Sequence, residues 1–276
     1  MMRNTGIYGR SLALAAAALL MALPASAQYA PQTMDDPATG EKYKIEAATG
    51  FWRPAAELSI SSEQLGIVGS DINFKRDLGL VDQVFNEFHV TGRPARKHKL
   101  RFQYIPIKYE QDAYRITRNI VFNGQAYTVG LPVTSVVDWK AYRFSYEYDF
   151  VYTNRWFGGL ILETKYTDVN AVLRTPIIEE YAHAKAPIPA IGGIFRGYVT
   201  PNISITGEVS GITIPSQVSD QYNAHYADID VYGTVNFNNN IGGQFGYRRF
   251  DVAYKVDEDR GNFVLKGIYF GIVARY

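Results

Sequence analysis

In this 276-residue chain, His225, Asp228 and Asp230 form the set best suited to acid–base chemistry. Asp228 and Asp230 stand two residues apart, so an extended segment puts both carboxylates on one face. So close a pair pushes one pKa upward, a property a general base can use to activate water. His225 sits at the edge of the adjoining loop. A second set, His89-Val90-Thr91, places an imidazole and a hydroxyl on one face, the couple nucleophilic catalysis requires, but no orienting acid is evident beside them. The four histidines, His89, His98, His183 and His225, are scattered, and no ligands converge on them at metal-binding spacing, so neither a metal nor a cofactor is expected. An Asp-x-Asp pair on an inward face more often belongs to an ion network than to a catalytic site, so the chain is read as non-enzymatic by default.

The elements that position these residues have a period of two. From Tyr226 to Phe237, Ala227, Ile229, Val231, Gly233, Val235 and Phe237 share one face, opposite Asp228, Asp230, Tyr232, Thr234 and Asn236. Lys140 to Phe150 repeats the pattern, with Tyr142, Phe144, Tyr146, Tyr148 and Phe150 opposite Arg143, Ser145, Glu147 and Asp149, and Ile203 to Gly211 does so again. One side suits hydrocarbon and the other water, but a single strand does not say which side turns inward. The connections do. Strands are predicted at 43–52, 86–92, 98–110, 134–152, 156–170, 188–200, 203–213, 225–237, 241–256 and 262–276. Short connections (92–97, 153–155, 201–202, 238–240) then alternate with long ones (53–85, 111–133, 171–187, 214–224), only the last, 257–261, being brief. Short turns at one rim and long loops at the other are the pattern of a closed transmembrane barrel, with the short turns periplasmic and the long loops extracellular. The expected fold is therefore all-β, a closed antiparallel transmembrane β-barrel of about 10 strands. Two segments could raise the count to 12: the alternating run 71–80, and 119–130 with its Asn123-Gly124 turn.

Composition bounds the rest. Arg3 and Arg10, an apolar run from Leu12 to Leu23 and Ala25-Ser26-Ala27 have the layout of a secretory signal peptide over 1–27, followed by a polar, flexible periplasmic lead-in over 28–42 and the barrel over 43–276. Lys plus Arg (28) nearly equals Asp plus Glu (27), which gives no electrostatic case for nucleic acid. There is no cysteine, so backbone ladders and packing alone must hold the exported chain together. Trp139, Phe150, Tyr152, Trp156, Phe157, Phe237 and Tyr276 fall near strand ends, where aromatic girdles at two membrane interfaces would stand.

The final strand alternates Ile268, Phe270, Ile272, Ala274 and Tyr276 against Tyr269, Gly271, Val273 and Arg275. A last strand of this kind closing on an aromatic residue resembles the assembly signal of bacterial outer-membrane β-barrel proteins, with Tyr in place of the more usual Phe. The resemblance spans the mature chain in architecture and is sharpest at Phe270, Ile272 and Tyr276. It implies a Gram-negative outer-membrane location, insertion machinery as a partner during assembly, outer-membrane lipid and lipopolysaccharide as surroundings, and a monomer. In size the chain also resembles the ten-stranded omptin proteases, which use paired acids and a His–acid couple at the outer rim; His225, Asp228 and Asp230 are the nearest match here.

Carried around the barrel, the alternation sends Glu46, Arg101, Arg143, Glu147, Asp149, Glu163, Lys165, Arg196, Glu208, Asp228, Asp230 and Arg248 inward, acids and bases nearly in balance. A ten-stranded lumen is little wider than side chains can fill, so these residues are expected to form an ion-pair network that plugs it. A narrow small-solute channel is the alternative and an outer-rim hydrolase the second alternative.

Overall fold

The computed structural model describes residues 38–61, 69–214, 222–256 and 259–276. The signal peptide read over 1–27, and the lead-in as far as 37, lie outside the described residues. The elements are β1 (Ile45–Ser61), β2 (Ile72–Asn73), α1 (Phe74–Leu78), β3 (Phe85–Ala95), β4 (His98–Arg115), β5 (Ile120–Phe122), β6 (Gln125–Tyr127), β7 (Pro132–Tyr152), β8 (Trp156–Arg174), β9 (Glu179–Thr200), β10 (Ile203–Ile214), β11 (Tyr222–Asn236), β12 (Ile241–Val256) and β13 (Asp259–Arg275).

Ten of these strands close on themselves in the order β1-β3-β4-β7-β8-β9-β10-β11-β12-β13, with β13 pairing back to β1 from Glu46↔Arg275 to Ser61↔Arg260. Every neighbour is antiparallel, as a meander joined by tight turns must be. The count is ten, not twelve. β5 and β6 do pair around Asn123 and Gly124, both at positive φ (51° and 77°), which suits a two-residue hairpin turn. They form a separate two-stranded sheet and leave the wall unchanged. Of the run 71–80, only Ile72–Asn73 extends along β1; Asn73 then caps α1, and Gly79 ends the helix in the left-handed conformation (φ 67°). Ile72, Phe74 and Leu78 are the reason the strand-like run turns into a helix: all three are buried in the mouth of the barrel, which a flat hairpin rising from the rim could not achieve.

The end of the barrel that holds Ile45, Arg275 and the short turns is its lower end. At the upper end the connections are shorter than the sequence suggests, because the strands rise further. The stretch 171–187 is mostly strand, and β8 and β9 join through residues 175–178, closed by the Thr175 N–H donating to the Ile178 carbonyl (2.7 Å).

Each long strand changes character part-way up. In β7 the outer face reads Phe150, Tyr148, Tyr146, Phe144 and Tyr142, then Lys140 and Asp138, while the inner face reads Asp149, Glu147, Ser145 and Arg143, then Trp139, Val137 and Val133. β4 does the same: Leu100, Phe102 and Tyr104 outside give way to Lys108 and Glu110, while Lys99, Arg101 and Gln103 inside give way to Ile105, Ile107 and Tyr109. The lower barrel is apolar outside and polar within, and the upper barrel is the reverse. Trp52, Ile107, Trp139, Phe250 and Phe263 form the upper core, with α1, Ile120, Phe122 and Tyr127 packed over it.

This reversal corrects part of the aromatic reading. Trp139 shares the inner face with Arg143 and is 1% exposed, so it belongs to the upper core and to no girdle. Phe157 is buried and Tyr152 half-buried at the lower mouth, where Tyr152, Phe157 and Tyr198 pack edge to face. Phe150, Trp156, Phe237 and Tyr276 do face outward at the lower end. At the upper edge of the apolar belt the outward aromatic row is Tyr104, Tyr142 and Tyr166, with Tyr104 and Tyr142 stacked at 4.8 Å.

Candidate functional site

The charged residues of the lower lumen meet one another across the barrel. Arg101 of β4 reaches Glu147 of β7 (3.1 Å) and, three strands further round, Glu208 of β10 (2.8 Å). Arg143 donates to Glu163 (2.5 Å) and to Glu208. Lys165 binds Asp228 (2.5 Å), and Arg248 binds the same carboxylate through Nε (3.0 Å) and Nη2 (2.5 Å). Side chains from facing walls touch at this level, so the lumen is crossed by ion pairs. Asp149 lies 2.9 Å from Lys99, Glu46 accepts from Arg275 (2.6 Å), and Asp230 accepts from the Tyr269 hydroxyl (2.9 Å). Charges so far from bulk water persist because each meets a counter-charge or a hydrogen-bond donor.

Three further members do not emerge from the sequence reading. Lys99 donates to Glu147 (2.6 Å), and Glu87 lies against Arg248 (3.5 Å) and His89 (3.4 Å). Both are within reach of the period-two argument, two residues from Arg101 and His89. Glu41 is not. It precedes the first strand, yet its carboxylate accepts from Arg196 (2.8 Å) and from the Tyr198 hydroxyl (2.9 Å). Burial alone would raise its pKa, but Arg196, with Lys99 and Tyr198, outweighs burial and holds it below the ordinary value.

Glu41 belongs to a strap, residues 38–44, drawn across the lower mouth. The Ala38 N–H donates to Asn154 O (3.2 Å), that of Thr39 to Pro201 O (2.8 Å) and that of Gly40 to Asn239 Oδ1 (3.0 Å). Asn236 adds a bond to the Thr39 carbonyl (2.8 Å). From Ala38 onward the segment read as a flexible lead-in is thus anchored to three different turns.

Just above the ion pairs, the small space between Trp52, Ile105, Ile107, Lys165, Arg248 and Phe250 measures about 20 Å³, and that within the ion-pair layer, around Arg101, Gln103 and Glu147, about 50 Å³. Both are of the size of one or two water molecules and leave no room for a solute.

The catalytic candidates do not converge. His225 is odd-numbered on β11 and faces outward, bonded to Thr213 (3.0 Å), whereas Asp228 and Asp230 face the lumen, with Asp228 fully engaged by Lys165 and Arg248. His89 does have an acid neighbour in Glu87, but Gln103 is the further partner that reaches the imidazole (3.1 Å). The His–acid contact nearest the upper rim, His183 with Asp168 (2.7 Å), lies on the outer wall and is shared with Lys185 (3.2 Å). Among the described residues, no group of three His, Cys, Asp or Glu is arranged to hold a metal ion. Phe270 and Ile272 lie on the outer face of β13, and the Tyr276 N–H donates to Ile45 O (2.8 Å), finishing the seam with β1.

No family model and no curated protein matches the sequence. Solved structures resemble it at the level of fold. The outer membrane protease OmpT from Escherichia coli matches with a TM-score of 0.51 at 8% identity, over 90% of this chain and 99% of that one. The toluene transporter TodX of Pseudomonas putida (TM-score 0.35, 7% identity, 94% of this chain and 93% of that one) is more distant in geometry. So is the translocator domain of the autotransporter NalP from Neisseria meningitidis (TM-score 0.33, 8% identity, 97% of each).

Proposed function

We propose that this chain is an integral outer-membrane barrel with a sealed lumen, which holds a structured upper head clear of the membrane and serves a structural and surface-interaction role. The outer face supports the membrane reading. Phe144 (55% exposed), Val231 (50%) and Ile272 (64%) stand in a mainly apolar belt around the lower wall, interrupted by Thr164 beside Phe144 and Thr49 beside Ile272, and β7 carries this belt from Tyr142 to Phe150. At about 3.4 Å per residue and a strand tilt near 40°, that stretch is roughly 20–25 Å tall, the height of an outer-membrane apolar band. The short turns then face the periplasm, and α1 with the β5–β6 hairpin faces outward over the mouth. Lipopolysaccharide and outer-membrane phospholipid are the partners of the belt, and the Phe270, Ile272 and Tyr276 face of β13 is the segment offered to the insertion machinery.

The observation that carries the sealed reading is the pairing across the lumen, above all Arg101 to Glu208 and Lys165 to Asp228, capped by Trp52, Trp139 and Phe250. A solute would have to part buried ion pairs and then an apolar core. Single-channel recording in planar bilayers is the test: the refolded protein is expected to insert without conductance steps, and steady ohmic steps from the unaltered chain would replace this reading with the narrow-channel one. His225 on the outer wall speaks against the rim hydrolase; cleavage of peptide or lipid A that is lost in Asp228→Ala and His225→Ala would restore it.

A further inference from the structure

Below the sealed lumen, the strap, the β3–β4 turn and the β7–β8 turn border an open cavity of about 800 Å³ at the lower mouth. Lys42, Lys44, Arg93 and Arg96 line it, together with Tyr152 and Phe157. Its one acidic side chain, Glu41, gives one oxygen to Arg196 and Tyr198, and its other oxygen lies 3.8 Å from Arg93, so Arg93 is partly balanced while Lys42, Lys44 and Arg96 are not paired with it. None of the four lower turns (96–97, 153–155, 201–202, 238–240) contains Asp or Glu, while the first two and the end of β3 supply Arg93, Arg96, Lys97 and Arg155. The field over this side of the mouth is therefore positive.

The arginines are held in place. The guanidinium carbon of Arg93 lies 5.2 Å from the Tyr43 ring centre and 5.1 Å from that of Tyr152, and Arg96 lies 4.5 Å from Tyr152. Arg93 is 9% exposed; its two terminal nitrogens donate to the carbonyls of Glu41 and of Arg96 (2.8 Å), and its buried Nε has no acceptor. A buried donor left unmatched is costly, and a guanidinium fixed between rings has lost little further freedom when an oxyanion arrives. An acceptor with several oxygens would satisfy Nε and meet Arg96 and Lys42 together, as a phosphate does.

The surroundings indicate where that phosphate would come from. Lys97 is followed directly by His98, whose ring bonds the outward Tyr146 hydroxyl (2.6 Å), and the exposed rings of Tyr148, Phe150 and Trp156 mark the lower edge of the apolar belt. The cavity thus sits at the level of a leaflet's headgroups. We propose that it binds a phosphodiester, supplied by the headgroup of an anionic phospholipid in the leaflet beside the lower rim. The source of the ligand rests on the membrane reading above; the cavity itself does not.

Native mass spectrometry of the full refolded chain in zwitterionic detergent tests this with dihexanoyl phosphatidylglycerol, dihexanoyl phosphatidylcholine and inorganic phosphate. Phosphatidylglycerol is expected to be retained at least about tenfold better than phosphatidylcholine, and a Lys42→Gln, Arg96→Gln double variant to lose that preference by roughly tenfold. Both substituted side chains are exposed, so the variant keeps the fold, checked by its far-UV spectrum. Equal retention of the two lipids, or a preference unchanged in the variant, overturns the proposal. Full displacement of the lipid by equimolar inorganic phosphate overturns the lipid as ligand, and its failure to displace supports it. Whether folding requires detergent at all is read separately, so a failure of the membrane reading is told apart from a failure of the site.

Discussion

β7 crosses two environments in one unbroken strand. Along its lower half, Tyr142 to Phe150 look outward and Arg143 to Asp149 inward; along its upper half, Asp138 and Lys140 look outward and Val133, Val137 and Trp139 inward. Backbone geometry is the same in both, since successive side chains alternate across any strand. On the membrane reading proposed above, what differs is the medium outside the wall. Where that medium is hydrocarbon, apolar side chains gain nothing by turning inward, and the polar ones collect in the lumen and neutralise each other. Where it is water, ordinary burial returns and the interior fills with Trp52, Trp139, Phe250 and Phe263. The contrast teaches that alternation fixes only which residues share a face, and that the solvent decides which face is buried.

Cutting into either interior should cost most. Trp139→Ala empties part of the upper core, and Arg248→Met leaves Asp228 short of its bidentate partner; each is expected to destabilise the refolded protein by about 3–5 kcal/mol in a guanidinium titration. Equal costs from unlike causes would sharpen the comparison, whereas a near-silent Arg248→Met would show the lower lumen to be wet. The outer face gives the cleanest contrast. Phe144→Lys, in the belt, is expected to cost about 2–4 kcal/mol in vesicles, while Val136→Lys, on the same face of the same strand above it, should stay within about 0.5 kcal/mol. Matching values would erase the boundary drawn at Tyr142.

A smaller effect, confined to the upper half, concerns the cover over the core. Burial would raise the Asp77 carboxyl, but Arg118, Arg76 and the Asn73 N–H together outweigh it and hold the pKa well below the usual carboxylate range. Because the folded pKa is the lower one, the resulting stability is present above the unfolded value near 4 and is lost as pH falls below it. The amide protection factors of 72–79 are therefore expected to fall below about pH 4, and Asp77→Asn to abolish that pH dependence. The lower wall, probed at β13, should show no such change in the same range if its protection comes from the ladder and the belt.

Much of this is legible in the sequence, and the reason is physical. Ten strands follow from period-two alternation between turns rich in Asn, Pro and Gly, and the predicted short turns fall where the structure has them. Two predicted strands stop short at their tops, at 110 in β4 and 170 in β8, although the prediction for β7, 134–152, runs through the reversal of polarity almost to the observed start at Pro132. The reversal is written into Asp138 and Lys140, which share a face with Phe144. α1 is hidden because Asp71 to Leu80 alternates like a strand; only the closed mouth beneath it makes burial of Ile72, Phe74 and Leu78 together worth a helix. Of the lumen, Glu87 and Lys99 can be found two residues from His89 and Arg101. Glu41 cannot, since its partner Arg196 lies 155 residues away and no local pattern joins them.

The strap over the lower mouth also bears on the order of assembly. Its three anchors, the carbonyls of Asn154 and Pro201 and the side chain of Asn239, belong to the turns of three different hairpins, β7–β8, β9–β10 and β11–β12. No single hairpin offers more than one of them, so the seat for residues 38–40 comes into being only when most of the wall is standing. Docking of Glu41 beside Arg196 is then a late event, and that segment behaves as a latch that catches only on a finished ring.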